Sequence, residues 1–427
     1  NKLEIGNKFF LIATFLLPSA FFISSLFYLL STLISLTSIK YNSKRNFSLL
    51  IIISSLLILL STFNNTLINK PIELDYSNNI SIWLNLFNWL PLIIISWGSR
   101  IYLLKTDKRV SFAKYFIAGT IPLLFSCILQ LWFGFDKGPY SLFNNLIIWF
   151  QYSIEGVGGL TGLFSNQNIT GMWLSISLVF SLGLIKEEKN NISKIILTII
   201  IGLIIYFTLL TNSRNAFISL ILTLLSFSGL KKSFLIILST FLSFYLTNFS
   251  YFLLKNNISF KYLPLGLINK INFNNSFFED RIAIWGQALN LILIRPLTGW
   301  GGSTFKYLFP SENLGYEVFH THNIFIELAY CFGVPLSIML AIFTFKLVKK
   351  SFQKIVLEQK NNLSVKFDKP WFLCFIIILI CHTTDMTYFD GRISLVFAML
   401  ISGLINIVDK PLDLKLKIIN SSKNINS

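Results

Sequence analysis

The 427-residue chain has few charged residues, few cysteines and few histidines. Only 13% of its residues are charged and 54% are hydrophobic, with a mean hydropathy of +0.66. Soluble globular proteins carry roughly 25% charged residues. The composition therefore excludes an ordinary soluble domain and indicates a protein that is surrounded by lipid.

Cysteine and histidine patterns give no sign of a disulfide framework or a metal site. Cys374 and Cys381 are seven positions apart, which on one helix separates them by about 10 Å along the axis, too far for a disulfide. The chain has four cysteines, none in a Cys-x-x-Cys pair, and three histidines, and no third metal ligand accompanies His320 and His322. We expect neither a metal nor another cofactor.

The formal net charge of +17 reflects membrane topology rather than binding to nucleic acid. Excess lysine and arginine in a membrane protein concentrates in cytoplasmic loops. The joint abundance of Phe, Ile, Asn and Lys is also typical of an AT-rich genome. We therefore expect no nucleic-acid partner.

Apolar runs of the length that crosses a bilayer, about 20 residues, recur along the chain. Because backbone groups cannot stay unpaired in hydrocarbon, these runs predict helices. We predict an all-α integral membrane protein with 11 or 12 transmembrane helices. They cover residues 9–37 (one helix kinked at Pro18, or two short ones), 47–63, 80–99, 111–133, 168–185, 193–211, 215–230, 233–254, 323–347, 370–384 and 391–408. The first run is too long for a cleaved signal peptide, so we expect a retained anchor.

Alternate loops are strongly basic, which predicts the orientation of the chain. The basic loops and the tail 409–427 are expected in the cytoplasm. Loops 64–79, 134–167, 212–214, 255–322 and 385–390 then face outward. The predicted organisation is N-terminal helices (1–133), central helices with outward polar clusters (134–254), a large outer loop (255–322), C-terminal helices (323–408) and the tail.

The outer loop 255–322 is long enough to be functional, and part of it predicts a helix. Its segment "EDRIAIWGQALNLILIRPLTGW" carries acidic residues at the start and Pro296 near the end. Arg281 and Trp285 are four positions apart and share a face, as expected of a helix at the lipid headgroups. They are candidates either for anchoring this helix or for binding a ligand.

Other polar residues lie on the same outward side. Arg214 in "TNSRNAF" begins a predicted span, where a charge is either functional or reaches for the headgroups. Asn166 and Asn168 in "GLFSNQN" carry amides that suit sugar hydroxyls. Gly301 and Gly302 in "GWGGSTF" either form a tight turn or let backbone N–H groups approach an anion.

The segment "HTHNIFIELAYCFG" places His320, His322 and Asn323 at the start of an apolar run. Thr321 or Asn323 is suited to cap a helix there. A neutral imidazole is suited to accept a proton from a hydroxyl. The two histidines are therefore either hydrogen-bonding groups of a cap or parts of an active site. Asp390 and Arg392, in the last outward loop, are expected to pair with each other.

The order of these motifs resembles the O-antigen ligase and polymerase family over about residues 155–345. The resemblance rests on "GLFSNQN", Asn-Ser-Arg, Arg281-x3-Trp285 with Pro296-x2-Gly299-x-Gly301, and His322-Asn323 with Gly333. It implies a metal-independent glycosyltransferase of the bacterial inner membrane that acts on the periplasmic face. The implied partners are an undecaprenyl-diphosphate-linked glycan, membrane lipids, and a chain-length regulator and flippase of the same pathway.

The resemblance also implies site residues. Arg214 and His322 match the catalytic arginine and histidine, and Arg214, Arg281, Gly301 and Gly302 would bind the donor diphosphate. The expected residues for glycan or acceptor binding are Asn166, Asn168, Trp285, His320 and Asn323.

Several functions compete for this pattern. Ligases of the family commonly have a second glycine three positions after the first, whereas this chain continues from Gly333 as "GVPLS". We therefore favour polymerisation of lipid-linked repeat units over ligation of finished glycan to lipid A–core or to a protein. A transporter, for example of bicarbonate, is the alternative from another class, but no internal repeat supports it. An export channel would need more charged residues within the spans.

Overall fold

The structure, a computed structural model, describes residues 2–38, 45–68, 76–229, 276–309, 317–358 and 367–409. Its α-helices are α1 (Lys2–Leu16), α2 (Phe21–Ser38), α3 (Arg45–Phe63), α4 (Tyr76–Asn85), α5 (Leu90–Ser99), α6 (Thr106–Trp132), α7 (Ile154–Val157), α8 (Gln167–Glu187), α9 (Asn191–Leu210), α10 (Arg214–Ser228), α11 (Ser276–Ile294), α12 (Phe305–Leu308), α13 (Ile324–Phe332), α14 (Val334–Phe352), α15 (Asp368–Cys381) and α16 (Gly391–Val408). The predicted span 233–254 and residues 255–275 of the outer loop lie outside the described residues.

The predicted all-α integral membrane fold is confirmed. Within the described ranges, six helical segments are long and apolar enough to cross a membrane, and they match predicted spans: Leu49–Ile68, Asn79–Leu103, Thr106–Trp132, Gln167–Glu187, Asn191–Leu210 and Gly391–Val408. The total of 11 or 12 spans stays a prediction. Outside the helices, the described residues form one short antiparallel hairpin of β1 (Tyr140–Leu142) and β2 (Ile147–Trp149), in which Tyr140 faces Trp149.

The first apolar run forms two short helices rather than one kinked helix. Helix α1 ends at Leu16 and α2 begins at Phe21, on either side of Pro18. The two helices pack antiparallel and are joined by hydrogen bonds. The Ser24 hydroxyl donates to the Ala13 carbonyl (2.7 Å), and the Thr14 and Tyr28 hydroxyls are 2.9 Å apart.

The predicted single span 323–347 is wrong, because the helix breaks at Gly333. Gly333 has a φ of +94°, and an added Cβ would collide with the Leu297 carbonyl, so only glycine fits this close approach. Helix α14 then folds back along the short helix α13, and the Ser337 hydroxyl donates to the Phe325 carbonyl (2.7 Å). Pro335 lies in the first turn of α14, where proline is tolerated.

The centre of the bundle is helix α8, whose apolar residues are almost all buried. Phe116 of α6 stacks on Trp173 of α8, with ring centroids 4.4 Å apart. Trp371 of α15 packs against the backbone of Gly403 in α16. Large aromatic side chains thus fill the space between α6, α8, α15 and α16, and they hold these four helices in fixed positions.

Among the described residues, the loop before α8 and the start of α6, which belong to predicted outward and cytoplasmic loops, lie at opposite ends of the bundle. At one end, the Leu160 amide donates to the Leu210 carbonyl (3.0 Å), which joins loop 158–166 to the end of α9. At the other end, Arg109 pairs with Asp368 through Nη2 and Oδ1 (2.5 Å), and both side chains are buried.

The four cysteines, all of which are described, are buried and form no disulfide.

Candidate active site

His322 lies in the turn before α13, in a conformation that is uncommon for residues other than glycine. Its φ is +57°, in the left-handed region. The turn is held by Asn323, whose Oδ1 accepts from the amides of Phe325 (3.0 Å) and Ile326 (3.2 Å). The Asn323 Nδ2 also donates to the Thr383 carbonyl (3.0 Å), so the cap fixes the His322 turn against loop 382–390. Unusual backbone conformations of this kind cluster at functional sites.

The His322 imidazole is bonded to the carboxylate of Asp385. The distance from His322 Nδ1 to Asp385 Oδ1 is 3.2 Å. The second carboxylate oxygen accepts from the Asn168 Nδ2 (2.8 Å), and the Met386 amide donates to Oδ1 (2.9 Å). Both oxygens of Asp385 are therefore held, and the carboxylate in turn orients the imidazole.

The electrostatics of this pair favour a neutral histidine and an ionised aspartate. Burial lowers the pKa of His322, and the charge of Arg281 acts in the same direction, while Asp385 opposes both. Burial alone would raise the pKa of Asp385, but the hydrogen bond and attraction of His322, together with Arg281, hold that pKa below its usual value. An ionised carboxylate only accepts hydrogen bonds, so the proton of His322 lies on Nδ1 and Nε2 keeps its lone pair.

His320 lies beside His322 as a second neutral imidazole. The two ring centroids are 4.3 Å apart, and the His320 ring also lies 5.5 Å from that of Phe389. Burial, followed by the proximity of His322, lowers the pKa of His320 to about 3. Among the described residues, no three His, Cys, Asp or Glu side chains converge as a metal ion would require.

Arg214 and Arg281 both lie close enough to Asp385 to interact electrostatically with its carboxylate. Arg214 is the first residue of α10, which is capped by the Ser213 hydroxyl, and Arg281 lies in the first half of α11. Both are half-buried. Planar guanidiniums at such a position are suited to bind phosphate oxygens in bidentate fashion. The structure thus brings together Arg214, Arg281, His320, His322 and Asn168, which are widely separated in the sequence.

Other predicted site residues support the framework of the site. Asn166 caps α8 through the Asn168 amide (2.7 Å), and the Trp285 indole donates to the Thr321 carbonyl (2.9 Å). The Gly301 amide donates to the Cys331 carbonyl (3.0 Å), and Gly302 packs so closely on Asn85 that a Cβ would collide with it. These contacts do not favour the predicted roles of the two glycines in binding diphosphate, which stay predictions.

Two residues of the site were missed in the sequence, namely Asp385 and Asn215. The Asn215 Oδ1 accepts from the Thr384 hydroxyl (3.1 Å), which holds loop 382–390 next to Arg214. The available signal was the segment "HTTDMTYFDG", which places an acidic residue between two apolar spans on the outward side. The predicted pair of Asp390 and Arg392 is confirmed at 2.6 Å and does not reach the site.

Comparison with known families agrees with the motif resemblance. The family model described as O-Antigen ligase matches residues 197–341. This segment contains Arg214, Arg281, His320 and His322, while Asn168 and Asp385 lie outside it. Comparison of the chain with curated proteins finds no match. The match confirms the predicted relationship to the O-antigen ligase and polymerase family over the segment that it covers.

Proposed function

Because residues 197–341 match the O-antigen ligase family and the chain is a multi-pass membrane protein, we propose that it is a membrane glycosyltransferase that polymerises undecaprenyl-diphosphate-linked repeat units. The observation that carries this proposal is the His322–Asp385 pair beside Arg214 and Arg281, at one end of the bundle. The proposed location is the periplasmic face of the bacterial inner membrane, which rests on the basic loops at the other end.

The acceptor would be activated by His322. Its Nε2 takes the proton of an acceptor sugar hydroxyl while the hydroxyl oxygen attacks the anomeric carbon of the donor. The bond between that carbon and the diphosphate oxygen breaks, and undecaprenyl diphosphate leaves with the electron pair. A single displacement inverts the anomeric centre. General-base assistance of this kind contributes about 10²–10⁴-fold to the rate.

Asp385 would act through His322 rather than on the substrate. By accepting from Nδ1, it selects the tautomer that keeps the lone pair on Nε2 and stabilises the imidazolium that forms during transfer. Asn168 and the Met386 amide keep the carboxylate oriented. Asp385 is therefore a positioning residue in this proposal.

The leaving diphosphate would be bound by Arg214 and Arg281. Negative charge grows on the bridging oxygen as the glycosidic bond breaks, and fixed guanidiniums stabilise that charge in a partly buried site. In this mechanism the diphosphate lies next to Arg214 and Arg281, and the acceptor hydroxyl lies near Nε2 of His322.

Ligation to a lipid or protein acceptor is the second candidate, because the matching family model is described as O-Antigen ligase. The two reactions share donor and bond chemistry and differ only in the acceptor. The segment "GVPLS" after the helix break at Gly333 lacks the second glycine of ligases, which favours polymerisation.

A reaction with purified components tests the proposal. Protein in detergent is mixed with radiolabelled undecaprenyl-diphosphate repeat unit from cells of its own source, and products are separated by length on a gel. We expect a ladder that is lost in His322→Ala and Arg214→Ala and retained in Lys189→Ala, a control at an exposed position on the opposite end. A single product that needs an added core lipid or protein would indicate ligation. Absence of any product with every acceptor would refute both and favour transport.

A further inference from the structure

A cavity of about 450 Å³ with both polar and apolar lining opens beside His320 and has no place in the mechanism above. Its walls come from four segments of the chain: α4 and the turn after it, the turn before α12 with the start of that helix, residues 319–327, and the loop around Phe389. The residues that line it and matter here are Asn85, Asn88, Ser303, Lys306, Phe319 and Phe389. The size is that of a small-molecule site, for which cavities of about 300–1,000 Å³ are usual.

One wall of this cavity is rigid. The Asn85 Nδ2 donates to the Ser303 hydroxyl (2.9 Å), and the Trp89 indole donates to the Asn85 Oδ1 (3.0 Å). Gly302 packs directly on Asn85, so a side chain at position 302 would displace this wall. A preformed wall of this kind lowers the entropic cost of binding a ligand.

The rest of the lining offers hydrogen bonds and aromatic surface. Asn88 lines the cavity, and its main-chain carbonyl accepts from the Tyr388 hydroxyl (3.0 Å), while its side-chain amide makes no hydrogen bond within the described ranges. The His320 Nδ1 is buried and, within the described ranges, has no hydrogen-bond partner. Phe319 is 56% exposed, although it is a large apolar side chain. Amides, an imidazole and open aromatic faces together suit a sugar ring, which presents hydroxyls at its edge and C–H groups on its face.

The position of His320 connects this cavity to the reaction. His320 lines the cavity, and its ring lies against that of His322. Arg214 and Arg281, the groups suited to the diphosphate, do not line the cavity and instead interact with Asp385. His322 thus lies next to His320, which lines the cavity, and next to Asp385, which both arginines approach.

We propose that this cavity, lined by Asn88, Lys306, Phe319, His320 and Phe389, binds the sugar of the acceptor glycan that carries the attacking hydroxyl. The proposal rests on the function proposed above. Phe319 and Phe389 contact the face of the sugar, while Asn88, His320 and Lys306 hydrogen bond with its hydroxyls. The segments that follow Phe319 and precede Phe389 also carry His322 and Asp385, so a bound sugar is held next to the base.

Binding of a lipid-free acceptor tests the cavity separately from turnover. The repeat unit is released from its lipid by mild acid, which removes the diphosphate and leaves a molecule that is unable to act as donor. Its affinity for the purified protein in detergent is measured by calorimetric titration and by saturation-transfer NMR. Asn88→Ala and Phe319→Ala should each weaken binding about 3–10-fold, and the double variant more, since each removes one contact worth about 1 kcal/mol. Lys306→Met is a third variant, at an exposed side chain, and it should also weaken binding.

Matched controls and the turnover assay separate the possible outcomes. Asn191→Ala and Phe135→Ala change exposed residues of the same types away from the cavity and should bind the oligosaccharide as the unaltered protein does. His322→Ala should keep binding while losing the ladder. If the unaltered protein fails to bind the oligosaccharide, or if the cavity variants bind as tightly as the controls, the cavity assignment is wrong even when the ladder forms. If the cavity variants bind more weakly than the controls but no ladder or ligation product forms, the proposed function is wrong instead.

Discussion

Replacement of Asp385 by asparagine tests the arrangement of the site with a minimal change in shape. The carboxylate accepts from His322 Nδ1 (3.2 Å), from Asn168 Nδ2 (2.8 Å) and from the Met386 amide. An amide has one accepting oxygen and one donating nitrogen in place of two accepting oxygens. His322 Nδ1 and the Met386 amide donate to the same oxygen, Oδ1, so the oxygen of the new asparagine amide takes that position. Its NH₂ group then faces Asn168, and His322 loses the negative charge that would stabilise its imidazolium in the proposed mechanism.

The expected loss of activity follows from the loss of that charge next to the proposed base. General-base assistance is worth about 10²–10⁴-fold, so Asp385→Asn should reduce kcat by a factor within this range. Loss of the negative charge also removes an interaction that raises the pKa of His322, so this pKa should fall further. In the unaltered protein, we expect activity above the His322 pKa and its loss as the pH falls through that pKa, because only the neutral imidazole is able to accept a proton. In the variant, the residual activity should therefore be lost at a lower pH.

The assay is the rate of ladder formation, measured from pH 4 to 8 with saturating lipid-linked substrate. Asp107→Asn is the matched control, because Asp107 is an exposed aspartate at the opposite end of the bundle. Asp385→Asn should have the same gel-filtration elution volume and melting temperature as the unaltered protein, since the change preserves the volume of the side chain. Full activity in Asp385→Asn, with an unshifted acid limb, would refute the role of this carboxylate in orienting His322.

Further predictions concern the arginines and the framework. Arg214→Lys and Arg281→Lys should each reduce kcat about 10²–10³-fold, because lysine keeps the charge but not the bidentate geometry; equal rates for Lys variants and the unaltered protein would contradict this. Asp368→Ala should lower the free energy of unfolding by about 3–5 kcal/mol, measured by thermal melting in detergent, because it leaves Arg109 buried and unpaired; an unchanged melting temperature would argue against a buried pair. Gly333→Ala should also lower the melting temperature, through its φ of +94° and the adjacent Leu297 carbonyl, and a neutral result would mean that the turn adjusts easily.

Hydropathy predicted most of the fold because single spans are local features of the sequence. The runs at 111–133, 168–185, 193–211 and 391–408 each correspond to one helix. The break at Gly333 was missed because it depends on the Leu297 carbonyl, which is distant in sequence. A glycine inside an apolar run gives no local indication of which backbone will approach it.

The site was predicted only in part for the same reason. Arg214, Arg281 and His322 stood out because each is a polar residue that interrupts or borders an apolar pattern. Asn323 and Trp285 were candidates for substrate contact, but they hold backbone groups of loops at the site. Asp385 was missed since its importance depends on a distance to His322, 63 positions away in the chain.

The family match and the geometry together imply that the site is larger than the matching segment. Residues 197–341 contain His322, the proposed base, and both arginines, yet the carboxylate bonded to His322 is that of Asp385, which follows that segment, and the partner of Asp385, Asn168, precedes it. The proposed acceptor cavity also uses Asn88 from the N-terminal helices and Phe389 from loop 382–390. On the proposed mechanism, the matching segment therefore carries the reactive groups and part of the acceptor cavity, while Asp385 and Asn168, which would orient the base, and the rest of the cavity lie outside it.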